Sequence, residues 1–416
     1  MSRAPGPKGS VIWGSLAAFK ANPLACLTEA AAEYGDVVRL RFGPVTAHLI
    51  NRPEFVEQVL SRNAANYDKA TRSASRIAAA TGNSLLSADQ RAWQRHRRLI
   101  QPAFQPRRFA AIGPVIDSLL DPVLHRWRAA AEIDIVDEMM QLVIGAAIRV
   151  LFSADIDAAR LNAALGVLLA DTWRRIEAPL DAAMLSPRLH RPAFKTALAE
   201  VDAMVFALIQ DRRRAVSRPD DVLSDLLAAH EADGATRLSD RELRDATLTL
   251  LLAGHETTAT ALAWALVHSA SAGMAQAEPA HLFAESLRLH PSIWVIERRA
   301  IRDDSIDGYH IPRGSSVLIS PYLLHRHPAF WPDPARFDPA RFAPGMPRLR
   351  DAYLPFGLGQ HRCVGLHLAN AMACHIIARV LAEFRLELVP DQALTECAEI
   401  TLRPQAGIRL RVFPRA

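Results

Sequence analysis

Apolar residues recur at three- and four-residue steps along most of the chain. Leu366, Ala369, Met372 and Ile376 mark one such stripe between Leu366 and Phe384, where no proline occurs until Pro390, and they predict a helix. Pro23 to Tyr34 reads as another helix and Pro53 to Leu60 as a short one. From Ile112 to about Arg214 the Ala- and Leu-rich pattern is helical almost throughout, and Asp211-Arg-Arg-Arg214 reads as a solvated helix end. Ala178 to Arg191, with two prolines, reads as a connection between helices. Alternating side chains bounded by turn residues mark strands instead: Asp36 to Phe42 and Val45 to Ile50 flank Gly43-Pro44 as a hairpin. Val295 to Ile301, Ser316 to Ile319, Phe384 to Val389, Glu399 to Arg403 and Gly407 to Val412 read the same way. The pattern predicts a mainly α fold with a smaller β region, confined to about 36–51, 295–320 and 384–412. Residues 66 to 88 lack clean periodicity and read as a loop.

One segment breaks the amphipathic rule. Asp240 to Ala270 is apolar nearly all round, from Ala246 to Ala253 and again from Ala259 to Val267. Between the two runs lies Gly254-His255-Glu256-Thr257-Thr258. A bilayer span is disfavoured because Glu256 would sit near its centre, at about 2.5 kcal/mol or more. A helix running through a protein core is the better reading, and polar residues at its middle are candidates for chemistry.

Composition sharpens this only a little. The chain has 416 residues, half of them apolar, and a formal charge of +5, which says little about partners. No glycine-serine linker, repeat or low-complexity tract divides it, so residues 1–416 read as one domain. Cys26, Cys363, Cys374 and Cys397 have unrelated spacings, unlike a disulfide framework, which fits a reducing cytoplasm. The first residues carry no apolar signal segment, and Ser10 to Phe19 is too short to cross a bilayer, so no membrane anchor is expected.

Pro355-Phe-Gly-Leu-Gly-Gln-His-Arg-Cys-Val-Gly365 places Cys363 just before the helix predicted from Leu366. Unpaired N–H groups and the positive dipole end favour a thiolate there. Gly357, Gly359 and Gly365 allow positive φ or close approach to something flat and bulky. A loop presenting one thiolate to a large planar metal complex needs these properties, and haem held by an axial Cys is the obvious case. Zinc is disfavoured. His361, Cys363, Cys374 and His375 are near in sequence, but three helical turns put Cys374 roughly 16 Å from Cys363, too far for ligand bonds of about 2.0–2.3 Å. Trp93 and Arg97, spaced i, i+4, share a helix face. Alone they read as a solvated basic face, or with Arg107 and Arg108 as a nucleic-acid patch.

Phe356-x-x-Gly359-x-x-x-Cys363-x-Gly365 resembles the haem-binding loop of the cytochrome P450 family. Three further motifs occur in that family's order. Trp93-x-x-x-Arg97 resembles its propionate-binding pair, and Ala253-Gly254-x-Glu256-Thr257-Thr258 its oxygen-activation motif in the long central distal helix. Glu285-x-x-Arg288 with Pro339-Ala-Arg341-Phe342 resembles its buried triad, with Arg336 a weaker third member. The resemblance runs from Trp93 to Gly365 and implies the cytochrome P450 fold with a proximal Cys loop.

It further implies a soluble, bacterial-type haem-thiolate monooxygenase of secondary metabolism, with haem b (iron protoporphyrin IX) as cofactor and Cys363 as iron ligand. Thr257 then donates a hydrogen bond to bound dioxygen, and Glu256 relays protons. Ala253 and Gly254 leave room for O2, where a weakened helical hydrogen bond admits water. Trp93, Arg97, Arg298 and His361 are implied propionate partners, Arg299 being the fallback because one residue in a strand reverses the face. The implied reaction is hydroxylation or epoxidation of a hydrophobic molecule of terpenoid, fatty-acid or polyketide type. The loops at 66–88, 170–190, 291–296 and 400–402 would surround it, with access gated near Ala178 to Arg191. Electrons are expected from a separate ferredoxin or flavodoxin with its reductase, docking on Arg95, Arg98 and Arg362. A haem sensor would need neither Glu256 nor Thr257, a peroxide-using relative usually lacks the acid–alcohol pair, and a nucleic-acid-binding protein would be colourless. The stretch from Glu256 to Glu285 is shorter than the family usually spends, as though a helix within Ser271 to Ala280 were lost.

Overall fold

The computed structural model describes residues 2–88, 90–178, 191–232, 237–272, 274, 276–346 and 352–415. The early elements are α1 Leu16–Ala21, α2 Pro23–Tyr34, β1 Val37–Phe42, β2 Val45–Ile50, α3 Pro53–Glu57, β3 Tyr67–Asp68, α4 Arg72–Thr81 and α5 Gln90–Ile100. The helical body follows as α6 Gly113–Ala129, β4 Glu132–Asp134, α7 Ile135–Phe152, α8 Ala158–Glu177, α9 Pro192–Arg214, α10 Val222–Glu231 and α11 Asp240–Ala272. The last third contains α12 Pro279–Leu289, β5 Ile296–Ala300, β6 Asp304–Ile306, β7 Tyr309–Ile311, β8 Ser316–Ile319 and α13 Pro321–Leu324. It closes with α14 Leu366–Glu383, β9 Phe384–Leu388, β10 Glu396–Ala398, β11 Leu402–Pro404 and β12 Arg409–Pro414. The architecture is mainly α with a smaller β region.

The helices surround α11. Leu262 to Val267 are buried, and α11 packs against α7, α12 and α14 within one apolar core. By length and hydropathy α11 would suffice to cross a membrane, but most of that surface is buried inside the protein. The main sheet has the order β1-β2-β8-β5-β3, with β2 and β8 parallel and the other pairs antiparallel. The parallel pair is non-local in sequence, so no hairpin signal announces it. β4 and β9 flank β12, while β10 and β11 form a separate hairpin.

Several sequence expectations need correction. Within residues 66–88 the structure has β3 and α4; Thr71 caps α4 by accepting from the Ala74 N–H, and Gly82, at φ 72°, ends it. α4 is only ten residues long and Ile77 is its one large apolar side chain, so the recurring apolar stripe that marks the longer helices is missing. After Glu57 the predicted short helix widens into a π turn, Gln58–Arg62. β4 interrupts the run from Ile112 to Arg214 because its partner, β12, lies at the far end of the chain. Residues 399–401 are the turn of the β10–β11 hairpin rather than strand, and the final strand is Arg409–Pro414. Arg212 is not solvated: it is buried, donates to both Asp221 oxygens at 2.6 and 2.7 Å, and also reaches the Phe152 carbonyl. Arg213 pairs with Asp240 at 2.6 Å. Between α11 and α12 the described residues, 274 and 276–278, form no helix. Of the connection read at Ala178 to Arg191, and the access gating assigned there, residues 179–190 lie outside the described residues.

One buried ion pair organises the approach to the Cys loop. Arg288 donates from Nε and Nη2 to the Glu285 oxygens, each at 2.7 Å, with both side chains fully buried. Its remaining donors reach the carbonyls of His325, Pro334 and Arg336 at 2.8–2.9 Å. Arg341 Nε lies 3.5 Å from Glu285, whereas Arg336 contributes only its carbonyl. Removing one partner of such a pair leaves an uncompensated buried charge, at about 3–5 kcal/mol. Arg288→Met is therefore expected to lose about that much stability in urea unfolding. Arg288→Lys, which keeps the charge, is expected to lose less.

Candidate functional site

Cys363 follows a loop whose shape is set by backbone bonds. Gly357 N–H donates to the Leu354 carbonyl at 3.0 Å and Cys363 N–H to the Phe356 carbonyl at 2.9 Å. Gly359 has φ 68°, and a Cβ there would collide with the Leu60 carbonyl. The glycine is thus needed for positive φ and for the π turn packed behind the loop, rather than for approach to a ligand. Gly365 precedes α14, and its N–H and that of Leu366 are directed at the Cys363 sulfur. These groups favour the thiolate, as do the charges of Arg97 and Arg362, but burial outweighs them and pushes the thiol up. The expected low thiol pKa therefore does not hold without a bound cation.

Although its surroundings are densely packed, Cys363 is exposed, and Phe356, Gly357 and Leu358 are half-buried. On α11, Leu252, Ala253, Gly254, Glu256 and Thr257 are likewise only half-buried, whereas residues 258–263 are fully buried. A Cβ added at Gly254 would meet nothing within 4 Å. The middle of the central helix thus borders open space.

A group of cations adjoins it. Trp93 and Arg97 come from α5, Arg298 from β5, Lys69 from the segment after β3, and His361 from the Cys loop. The His361 ring lies 3.8 Å from the Trp93 ring, and Lys69 Nζ 5.7 Å from it. Arg97 ties its helix to the loop, donating to the Arg362 carbonyl at 2.6 Å and to Gln101 at 2.9 Å. Arg298 is buried and Arg299 points to the opposite face, paired with Asp68 at 2.7 Å, so the strand alternation selects Arg298. Burial and the neighbouring positive charges of Arg298 and Arg97 push Lys69 down to about 7. Burial, with Lys69, Arg298 and Arg97, holds His361 down at about 2. Burial lowers Arg298 to about 10. Both His361 nitrogens are buried without a hydrogen-bond partner.

This cluster is short of anions. A planar metal complex carrying two carboxylates and accepting a sulfur ligand fits it, since the carboxylates would satisfy His361 and offset the repulsion among Lys69, Arg97 and Arg298. Lys69 was not singled out in the sequence. It stands in no motif, and only the pairing of β3 with β5 brings it beside Arg298.

At the distal side, Thr257 Oγ1 donates to the Ala253 carbonyl at 2.7 Å, the bond common for a hydroxyl inside a helix. Thr260 Oγ1 bonds the Glu256 carbonyl at 2.9 Å, and Ser292 Oγ bonds that of Thr257 at 2.6 Å. Side-chain donors thus load the carbonyls of Ala253, Glu256 and Thr257, although the helix runs on unbroken. Burial pushes the Glu256 carboxyl up, opposed by Thr401 and Arg403.

Of the basic residues expected at a docking face, Arg98 and Arg362 are exposed, but Arg95 is ion-paired with Glu242. Arg108 is held by Asp220 and Asp225, both at 2.5 Å, which breaks up the basic stripe a nucleic acid would need.

A family model described as "Cytochrome P450" matches residues 4–277 and 281–411. Cyclooctatin synthase of Streptomyces melanosporofaciens is 32% identical over 98% of this chain and 94% of its own length. The cyclooctat-9-en-7-ol 5-monooxygenase of the same organism is 32% identical over 93% and 90%. Among solved structures, a retinoic acid-bound cyanobacterial CYP120A1 superposes with a TM-score of 0.87 over the whole of both chains at 22% identity, a likeness of fold.

The cation cluster yields a pH test on the cofactor-free chain. Lys69 titrates near 7 when folded and near 10.5 when not, so between these values the unfolded chain binds more protons and stability rises with pH. Lys69→Met is expected to stabilise this form most at pH 6 and least at pH 10, measured as the shift of the urea midpoint from wild type. A shift that is the same at both pH values would contradict the buried charge.

Proposed function

The chain belongs to the cytochrome P450 family, and from that premise we propose that it oxidises a terpenoid-type molecule at a haem b bound between Cys363 and the central helix. It is a haem-thiolate monooxygenase acting on a hydrophobic small molecule. The terpenoid reading rests on the named activities of its relatives. The observation that carries the site is Cys363, whose sulfur receives two backbone N–H groups and opens on space bordered by an unneutralised cation cluster.

When bound, the haem supplies reductive activation of O2 and transfer of one oxygen atom, with thiolate ligation favouring O–O cleavage. Cys363 would hold the iron through its sulfur, and the N–H groups of Gly365 and Leu366 would steady the thiolate charge. Trp93, Lys69, Arg97, Arg298 and His361 hold the two propionates. Phe356, Gly359 and Gly365 shape the loop beneath the ring. Ala253 and Gly254 leave the distal face open, and Thr257 turns its hydroxyl from the Ala253 carbonyl toward dioxygen. Glu256 holds the proton that this hydroxyl passes on. Burial raises its pKa, so it keeps a proton to higher pH than an exposed glutamate does. Glu285, Arg288 and Arg341 position the loop. Residues 1–416 act as one domain, since β5 and the C-terminal hairpin both contribute to the site.

The electron donor in this reading is a separate ferredoxin or flavodoxin that meets Arg98 and Arg362. Arg95 drops out of that face because Glu242 neutralises it. In this reading the protein works in the cytoplasm.

The test is optical. The reduced, carbon monoxide-treated protein is expected to show the thiolate-ligated Soret band, and Cys363→Ser to lose it. Lys69→Met and Arg298→Met are each expected to weaken haem retention at least tenfold in transfer to apomyoglobin. Sclareol, a diterpenoid, is expected to shift the Soret band at lower concentration than lauric acid. The reverse order would overturn the terpenoid reading.

A further inference from the structure

Hydrogen bonds fasten the β10–β11 hairpin to the turn of α11 that carries Glu256. Leu402 N–H donates to the Ser292 carbonyl at 2.9 Å, and Ser292 Oγ donates to the Thr257 carbonyl at 2.6 Å and lies 3.2 Å from Thr260 Oγ1. Trp294 Nε1 holds the Glu399 carbonyl at 2.9 Å. The hairpin therefore cannot drift from the helix without breaking several buried bonds.

The hairpin carries ionisable and hydroxyl side chains at Glu399, Thr401 and Arg403. Thr401 is 4% exposed, and its hydroxyl is the side-chain hydrogen-bonding group that faces the Glu256 carboxyl. Arg403 donates to Glu399 at 3.0 Å, each side chain about one-third exposed. The charged groups that face Glu256 are Arg403 and Glu399, both from this hairpin. Outside them, Glu177 at the end of α8 lies between Glu399 and Lys20. Ionisable groups thus run from the surface to the carboxylate at the middle of the central helix.

We propose that this hairpin is the proton inlet: Arg403 is the positioning residue for Glu256, and the Thr401 hydroxyl passes it protons from water held at the Glu399–Arg403 pair. The inference rests on the reading of Glu256 as proton relay. In each transfer Thr401 Oγ1 accepts one proton from water and releases its own to the Glu256 carboxylate, so the hydroxyl ends unchanged. The water left as hydroxide is reprotonated by solvent. Arg403, bonded to Glu399 but electrostatically close to Glu256, keeps the inner carboxylate ready to accept a proton despite its burial.

The experiment uses the haem-loaded full chain and infrared difference spectroscopy of the Glu256 carboxyl, assigned by its loss in Glu256→Gln. In Arg403→Gln the titration midpoint of that band is expected to rise by about one pH unit, because a positive charge has gone; Arg403→Lys should restore it. In Thr401→Val the midpoint should stay and exchange of the carboxyl proton with D2O should slow at least tenfold, with recovery in Thr401→Ser. A structural role alone would move neither quantity. Wild-type midpoint and exchange rate in both hairpin variants would overturn the inlet. Oxygen-dependent NADH consumption with an added [2Fe–2S] ferredoxin and reductase separates the two readings. If Glu256→Gln leaves it unchanged, the relay itself falls and the inlet with it. If Glu256→Gln slows it while the hairpin variants keep wild-type infrared behaviour, only the inlet falls.

Discussion

The ion pair between Glu285 and Arg288 governs the geometry of everything on the proximal side. Both charges are removed from water, so the pair persists only because each lone pair and N–H finds a partner. Glu285 accepts from Arg288 and from the Asp338 N–H at 2.8 Å, and Arg288 satisfies three carbonyls from the segment 325–336. That segment has little regular structure of its own, so the guanidinium acts as its template. His325 carries the constraint onward. Its Nε2 accepts from the Leu354 N–H at 2.9 Å, which leaves Nδ1 to donate to the Arg288 carbonyl at 3.2 Å. Burial keeps the ring neutral, pushing it down to about 3. Leu354 opens the turn that ends at Cys363, so the thiol's position is tied through two hydrogen bonds to a charge pair on another helix.

The cation cluster is the complementary constraint. Lys69, Arg97, Arg298 and His361 converge from four segments, and burial together with their mutual repulsion lowers the pKa values of Lys69 and His361. A chain that folds with such a cluster stores unfavourable electrostatics that a dianionic ligand turns into affinity. Ligand and fold are then linked, because whatever binds only the folded form stabilises it.

On the distal side the balance differs. Apolar burial fixes α11 as a whole, and the polar residues at its centre depend on hydroxyl and carboxyl groups from elsewhere. Ser292, Thr401 and Arg403 lie far from Glu256 in sequence, yet Thr401 and Arg403 set what its carboxylate meets, while Ser292 and Thr260 hold the backbone carbonyls of Thr257 and Glu256.

The sequence by itself determined the helical class, the central helix and the Cys loop, because these depend on local periodicity and on residues close together in the chain. α2 and β2 agree with their expected bounds, and α14 ends one residue short of its expected limit, since nothing distant competes with their patterns. Tertiary structure decided what required two distant segments to meet. The choice of Arg298 over Arg299 needed the register of β5 on β8. The burial of Arg212 needed Asp221 to fold back on it, and the role of Lys69 needed β3 to find β5. The thiol's raised pKa could not be read locally either, because a helix N-terminus is visible in sequence but the burial that outweighs it is a property of the packed chain.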